Sequence, residues 1–187
     1  HHRLRRAPLR GRVRVPKVQL RDRQCGDALG AVRHVREGSL RPDGPDDEID
    51  PWSIYDESFR RLVRWADTNG IFYEGIQPTR EGGREHDVTF DANTGTWLKF
   101  TKPSSAGYAV CFDEGTLGLI PALPLDYLER LQLQNQIFCD SIMFVGIAGE
   151  RYRPRIVTRQ VDVSGEPATD QQINDLMTAA LGFTPLP

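Results

Sequence analysis

Ala92-Asn93-Thr94-Gly95 narrows the fold more than any other segment of the chain. It is short, built of turn formers, and flanked by residues 87–91 and 96–102, two runs with β-branched and aromatic content. A tight turn between two such runs sets them side by side as antiparallel neighbours. Three further runs have the same character: residues 71–77 ahead of the pair, and residues 141–147 and 155–163 behind it. The last two are separated by the polar turn Gly149-Glu150-Arg151. Adjacent hairpins of this kind favour an antiparallel sheet.

Helical periods interrupt the strands. Tyr55, Phe59, Leu62, Val63 and Ala66 fall on one helical face, while Arg60, Arg61, Arg64 and Asp67 lie off it. Ser53 ahead of Asp56 and Glu57 suits a helix start, and Asn69-Gly70 suits a stop. Residues 124–138 predict a second helix, with Pro124 in the first turn and Leu125, Leu128 and Leu131 along one side. A third opens at Ala168-Thr169-Asp170 and runs to about Leu181, with Thr169 as cap and Gly182 as stop. Helix, three strands, helix, two strands, helix is an α+β order, and it contains no internal repeat.

The charge is divided unevenly. Residues 1–41 carry twelve Lys/Arg against three Asp/Glu, whereas the remainder carries twelve against twenty-three. A net charge of −2 therefore conceals a basic arm joined to an acidic domain. Pro42-Asp43-Gly44-Pro45-Asp46-Asp47-Glu48 has linker composition, which places the boundary near residue 50: an arm over 1–49 and a domain over 50–187. The arm's composition predicts disorder or loose packing over residues 1–48. Its charge suits nucleic acid or an acidic surface, but neither interleaved aromatics nor a reader motif accompanies it, which argues against nucleic acid.

No apolar run approaches the roughly 18 residues of a membrane span, and no secretory signal pattern is present. Cys25, Cys111 and Cys139 fit neither a disulfide framework nor a paired zinc site, so a reducing cytoplasm is the expectation.

Chemistry is concentrated in three places. Gly82 and Gly83 lie in the turn that leads to Val88, and a missing Cβ lets backbone N–H groups approach phosphates. Lys99 follows on the next strand, with Leu98 and Phe100 directed to the opposite face. Glu129, on the second helix, is a carboxylate available to hold such a lysine extended. Each has an ordinary reading as turn, solvent-facing lysine or solvated helix residue. His86 has no second His or Cys at ligand spacing, and no nucleophile motif occurs, so neither metal nor catalytic residues are assigned.

Four segments, taken together and in order, resemble one family. They are Glu81-Gly82-Gly83-Arg84-Glu85-His86-Asp87-Val88, Trp97-Leu98-Lys99-Phe100-Thr101-Lys102-Pro103, Pro124-Leu125-Asp126-Tyr127-Leu128-Glu129-Arg130-Leu131, and Arg155-Ile156-Val157-Thr158-Arg159-Gln160 with Gly165-Glu166-Pro167-Ala168-Thr169 after it. The family is the serine/threonine/tyrosine kinase-like domain of polyvalent proteins in phages and mobile elements. The resemblance spans about residues 55–187. It implies a protein-kinase-like N-lobe, a five-stranded antiparallel sheet with packed helices.

It further implies ATP as ligand, with Gly82, Gly83 and Val88 as lid, Lys99 on the phosphates, Glu129 as its ion-pair partner, and residues 158–163 as the adenine hinge. Two features depart from the family: the glycine spacing is incomplete, and no His-x-Asp or Asp-Phe-Gly-like segment is present. The expectation is a catalytically incomplete ATP-binding module that engages magnesium only together with a complete catalytic lobe. The alternative is a non-catalytic interaction domain on the same scaffold, with a protein partner or the missing C-lobe docked against it.

Overall fold

α1 (Pro51–Thr68) carries the first apolar stripe into the core: Tyr55, Phe59, Leu62, Val63 and Ala66 are all buried. Each large side chain so placed stabilises the fold by roughly 1.5–3 kcal/mol. On the outer side Glu57 pairs with Arg60, Arg61 and Arg64. The computed structural model describes Ala31, residues 51–113 and residues 116–184, with Pro51, Phe112 and Asp113 described by backbone alone. Ala31 is helical and fully buried in the main core, so the loose packing expected of the arm does not hold at that residue. The rest of the arm lies outside the described residues.

After α1 come β1 (Phe72–Glu74), β2 (His86–Asp91), β3 (Thr96–Thr101), β4 (Tyr108–Asp113) and β5 (Thr116–Pro121). They are followed by α2 (Pro124–Phe138), β6 (Met143–Glu150), β7 (Arg153–Val161) and α3 (Asp170–Asp175), which continues into a π-helical turn, Leu176–Ala180. Five strands form one sheet in the order β1-β6-β7-β3-β2, and β4 and β5 form a separate hairpin. The α+β class therefore holds. Among the described residues no helix is long and apolar enough to cross a membrane.

The sheet is mixed, which corrects the antiparallel expectation: β1 runs parallel to β6, with Phe72 opposite Ile147. The cause lies in how the chain leaves α1. The Ile147 N–H donates to the carbonyl of buried Ile71 at 3.0 Å. Gly146 admits this approach, because a Cβ there would stand 2.2 Å from the Ile71 carbonyl oxygen. The strand ahead of the glycine turn is thus at the edge farthest from β2. The segment ahead of the glycine turn meets β2 through a bridge between Arg80 and Val88 and through the Thr79 N–H, which donates to Thr89 Oγ1 at 3.0 Å. The intervening segment packs Ile76 on Phe100, Ala148 and Val157.

Register assigns the two faces. Val88 stands opposite Lys99, which stands opposite Thr158, so these three share a face with His86, Phe90, Trp97 and Ile156. The other face carries Asp87, Thr89, Leu98 and Phe100. The main core joins the first face to both long helices, with Leu62, Leu128, Ile147 and Ile156 fully buried.

Candidate functional site

α2 lies over the first sheet face because Tyr127, Leu128 and Leu131 are buried there. Pro124 opens the helix, and Asp126 accepts the Leu123 N–H at 2.9 Å. Between the helix and the sheet lies a pocket of about 280 Å³. Lys99 and Thr158 line it from the sheet, Glu85 and His86 from the start of β2, and Tyr127, Arg130 and Gln134 from α2. Its far wall is Ile142, fixed by the Asn135 side chain, which donates to the Ile142 carbonyl at 2.7 Å and accepts its N–H at 3.0 Å.

Lys99 lines this pocket and stands opposite Val88 in register, on the face that strand alternation assigns it. Among the described residues no carboxylate lies within ion-pair distance of its ammonium. The expected approach of Glu129 to Lys99 is corrected here. The pocket side of α2 is set by Tyr127, Arg130, Leu131 and Gln134, and at 3.6 residues per turn Glu129 points about 150° away from it. Glu129 is therefore not the partner of Lys99.

The glycine turn is tied back on itself. The Gly82 N–H donates to Asp87 Oδ1 at 3.3 Å, and a Cβ on Gly82 would meet the His86 carbonyl oxygen at 2.2 Å. Gly83, by contrast, has open space around it. Asp87 also holds Lys102, and Arg155 at 2.8 Å. Burial pushes the Asp87 carboxyl up, but Lys102, Arg155 and the Gly82 N–H outweigh it and bring its pKa to about 2. The close backbone approach that glycine permits is thus used within the protein at Gly82.

Glu85 joins three elements. It accepts the Tyr108 N–H at 3.0 Å and both terminal nitrogens of Arg130, at 3.2 and 3.0 Å. Burial acts upward on its carboxyl, yet Arg130 and the Tyr108 N–H hold it below the usual range. Deeper in, His86 Nε2 lies 2.9 Å from the Tyr127 hydroxyl. Burial pushes the Tyr127 hydroxyl up to about 12 and the His86 imidazole down, the latter helped by the charges of Lys99 and Arg130. His86 is accordingly neutral near pH 7, and the pocket carries one net positive charge from Lys99, Arg130 and Glu85.

Farther along the same sheet face, Phe90 and Trp97 pack with ring centroids 4.8 Å apart. Trp97 Nε1 donates to Asp162 Oδ1 at 2.7 Å, and the Asp162 N–H donates to the Gly95 carbonyl at 3.0 Å. The segment after β7 is thereby fastened to the β2–β3 turn. The chain matches no family model, no curated protein and no solved structure.

The site therefore stands on its own chemistry. Magnesium does not fit it: the ion takes carboxylate oxygens, and among the described residues the carboxylate lining the pocket, Glu85, is engaged by Arg130. Among the described residues no group of three His, Cys, Asp or Glu is placed to hold a metal ion. Phosphate oxygens do fit, since Lys99 and Arg130 are donors of the right charge. Arg130, Tyr127 and Gln134 were not singled out from the sequence, although their spacing on α2 places them on one face with buried Leu131.

Proposed function

We propose that residues 50–187 are a kinase-like nucleotide-binding module that holds ATP with Lys99 on its phosphates. One observation carries this reading: Lys99 lines a concave pocket, and no carboxylate of the described residues comes within ion-pair distance of its ammonium. An ammonium with no carboxylate beside it attracts an anion, and a phosphate chain is the anion the nucleotide supplies. The Phe90–Trp97 pair on the same face suits the flat base. The order of glycine turn, lysine strand, helix and two further strands supports the family resemblance.

In this reading Val88 and Gly83 border the nucleotide, Gly82 shapes the turn through Asp87, and Glu129 has no contact with the ligand. No residue of the pocket is assigned to phosphoryl transfer. Tryptophan fluorescence tests the base position: ATP should change the emission of the native chain, and Trp97→Leu should remove that change. An unchanged response in the variant would place the base elsewhere.

A second reading has its own observation. Tyr108, Val110, Leu117 and Leu119 share one face of the β4–β5 hairpin by register, and all are exposed, Val110 to 64% and Leu119 to 61%. An apolar sheet face of this kind suits docking of another polypeptide. As the sole function it predicts no binding of ATP, which separates it from the first.

A further inference from the structure

We infer that the space between Lys99 and α2 is a polyphosphate pocket whose second cation is Arg130, with Glu85 as the intramolecular anion that competes with the ligand. The inference deepens the nucleotide reading, and rests on it for the source of the polyphosphate but not for the pocket's chemistry.

Three observations converge. First, Lys99, Arg130, Tyr127 and Gln134 line a space of about 280 Å³; the Tyr127 hydroxyl is held by His86 Nε2 and the Gln134 amide donates to Asp140 Oδ2 at 2.8 Å, so the two cations are left to meet a ligand. That volume is many times the roughly 10–15 Å³ that admits one water, which leaves room for phosphate oxygens. Second, the Gly82 N–H is directed to Asp87, so this part of the turn does not supply the phosphate donors. Third, Arg130 uses only part of its donor set. Nη1 serves Glu85 and the Tyr108 carbonyl, and Nη2 serves Glu85 through one hydrogen. A guanidinium has five N–H groups, so Nε–H and the second Nη2 hydrogen remain for an oxyanion.

The charge arrangement also sets a direction. Glu85 offsets Arg130 and leaves the pocket with the single positive charge of Lys99. A polyphosphate entering it meets attraction from two cations and repulsion from one carboxylate. Replacing that carboxylate by an amide of the same shape keeps an acceptor for the Tyr108 N–H and removes the repulsion. The ligand should then bind more tightly, whereas a merely structural Glu85 would give weaker binding on loss of its ion pair.

The test is calorimetric titration of the full 187-residue chain with inorganic tripolyphosphate, with ATP and with adenosine. Native protein, Lys99→Met, Arg130→Gln and Glu85→Gln are compared, with the melting temperature of each recorded. Tripolyphosphate should bind and compete with ATP. Lys99→Met should weaken both about tenfold, Arg130→Gln should weaken both severalfold, and Glu85→Gln should tighten both about fivefold despite a lower melting temperature. ATP binding that tripolyphosphate does not displace, and that Glu85→Gln does not tighten, would overturn the inference and leave the nucleotide reading standing. Tripolyphosphate binding as tight as that of ATP, with the variant pattern above and no competition by adenosine, would uphold the pocket and remove the base-specific reading.

Discussion

Arg130 reaches Glu85 through both terminal guanidinium nitrogens, at 3.2 and 3.0 Å, and so ties α2 to the base of the glycine turn. The turn, the start of β4 and the pocket side of α2 form one assembly, because Glu85 also accepts the Tyr108 N–H. Substitutions that disturb this junction should therefore be felt on all three elements.

Gly107 adjoins it. Its φ is 76°, and a Cβ there would stand 2.7 Å from Glu85 Oε1. Gly107→Ala is expected to cost about 1–2 kcal/mol through backbone strain and displacement of the Glu85 carboxylate. Urea unfolding measures this directly. Stability equal to that of the native chain would show that the junction yields without cost.

Asp87 should be a principal electrostatic anchor of the sheet end. Asp87→Asn leaves Lys102 and Arg155 facing an uncharged amide and should destabilise by about 2 kcal/mol near neutral pH. The folded carboxyl sits at about 2 against an ordinary value of 3.8. A depressed carboxyl stabilises the fold above its unfolded pKa, and that contribution disappears as pH falls through the folded one. The difference between native and Asp87→Asn proteins should thus be full above about pH 4 and shrink towards pH 2. A difference that is constant across this window would contradict the anchor.

His86 gives a separate pH signature. Burial, the largest influence, holds its folded pKa below the ordinary 6.5, with Lys99 and Arg130 acting in the same direction and Glu85 and Asp87 opposing. The unfolded chain therefore takes the proton first, so stability present above pH 6.5 is lost as pH falls below it. Melting temperatures at pH 7.5 and pH 5.5 should differ more for the native chain than for His86→Gln. An equal difference would mean that His86 does not contribute.

Gly146→Ala tests the parallel edge. With the Ile71 carbonyl oxygen 2.2 Å from the added carbon, β1 must withdraw from β6. Amide exchange at Ile147, whose N–H is bonded to Ile71, should accelerate by an order of magnitude or more while the β3–β7 amides stay protected. Unchanged protection at Ile147 would show that the edge accommodates the methyl group.

Much of this architecture was legible in the residues. The buried stripe of α1 is the set read from its period, and α2 occupies residues 124–138 as expected. Gly95 closes the β2–β3 turn with φ of 63°, while the Thr169 hydroxyl accepts the Gln172 N–H and Gly182 follows the last helical turn. Such features are local: period, cap and turn chemistry suffice to specify them.

What escaped depends on distant contacts or on helix phase. The parallel pairing of β1 requires close approach at Gly146, more than seventy residues downstream, and no local pattern encodes it. The β4–β5 hairpin turns its apolar side chains outward, so alternation there does not announce a core strand. Charge alone points to Glu129, whereas phase on α2 selects Tyr127, Arg130 and Gln134 for the pocket. Lys99 was legible because strand alternation alone determines its face.

Isothermal titration of the 187-residue chain with ATP shows whether Lys99 holds the phosphates of a bound nucleotide. Saturable binding at one site is expected, weakened about tenfold or more by Lys99→Met, with the melting temperature of the unliganded variant close to native. Absence of ATP binding by the folded chain, or equal affinity in the native and Lys99→Met proteins, would contradict that role of Lys99.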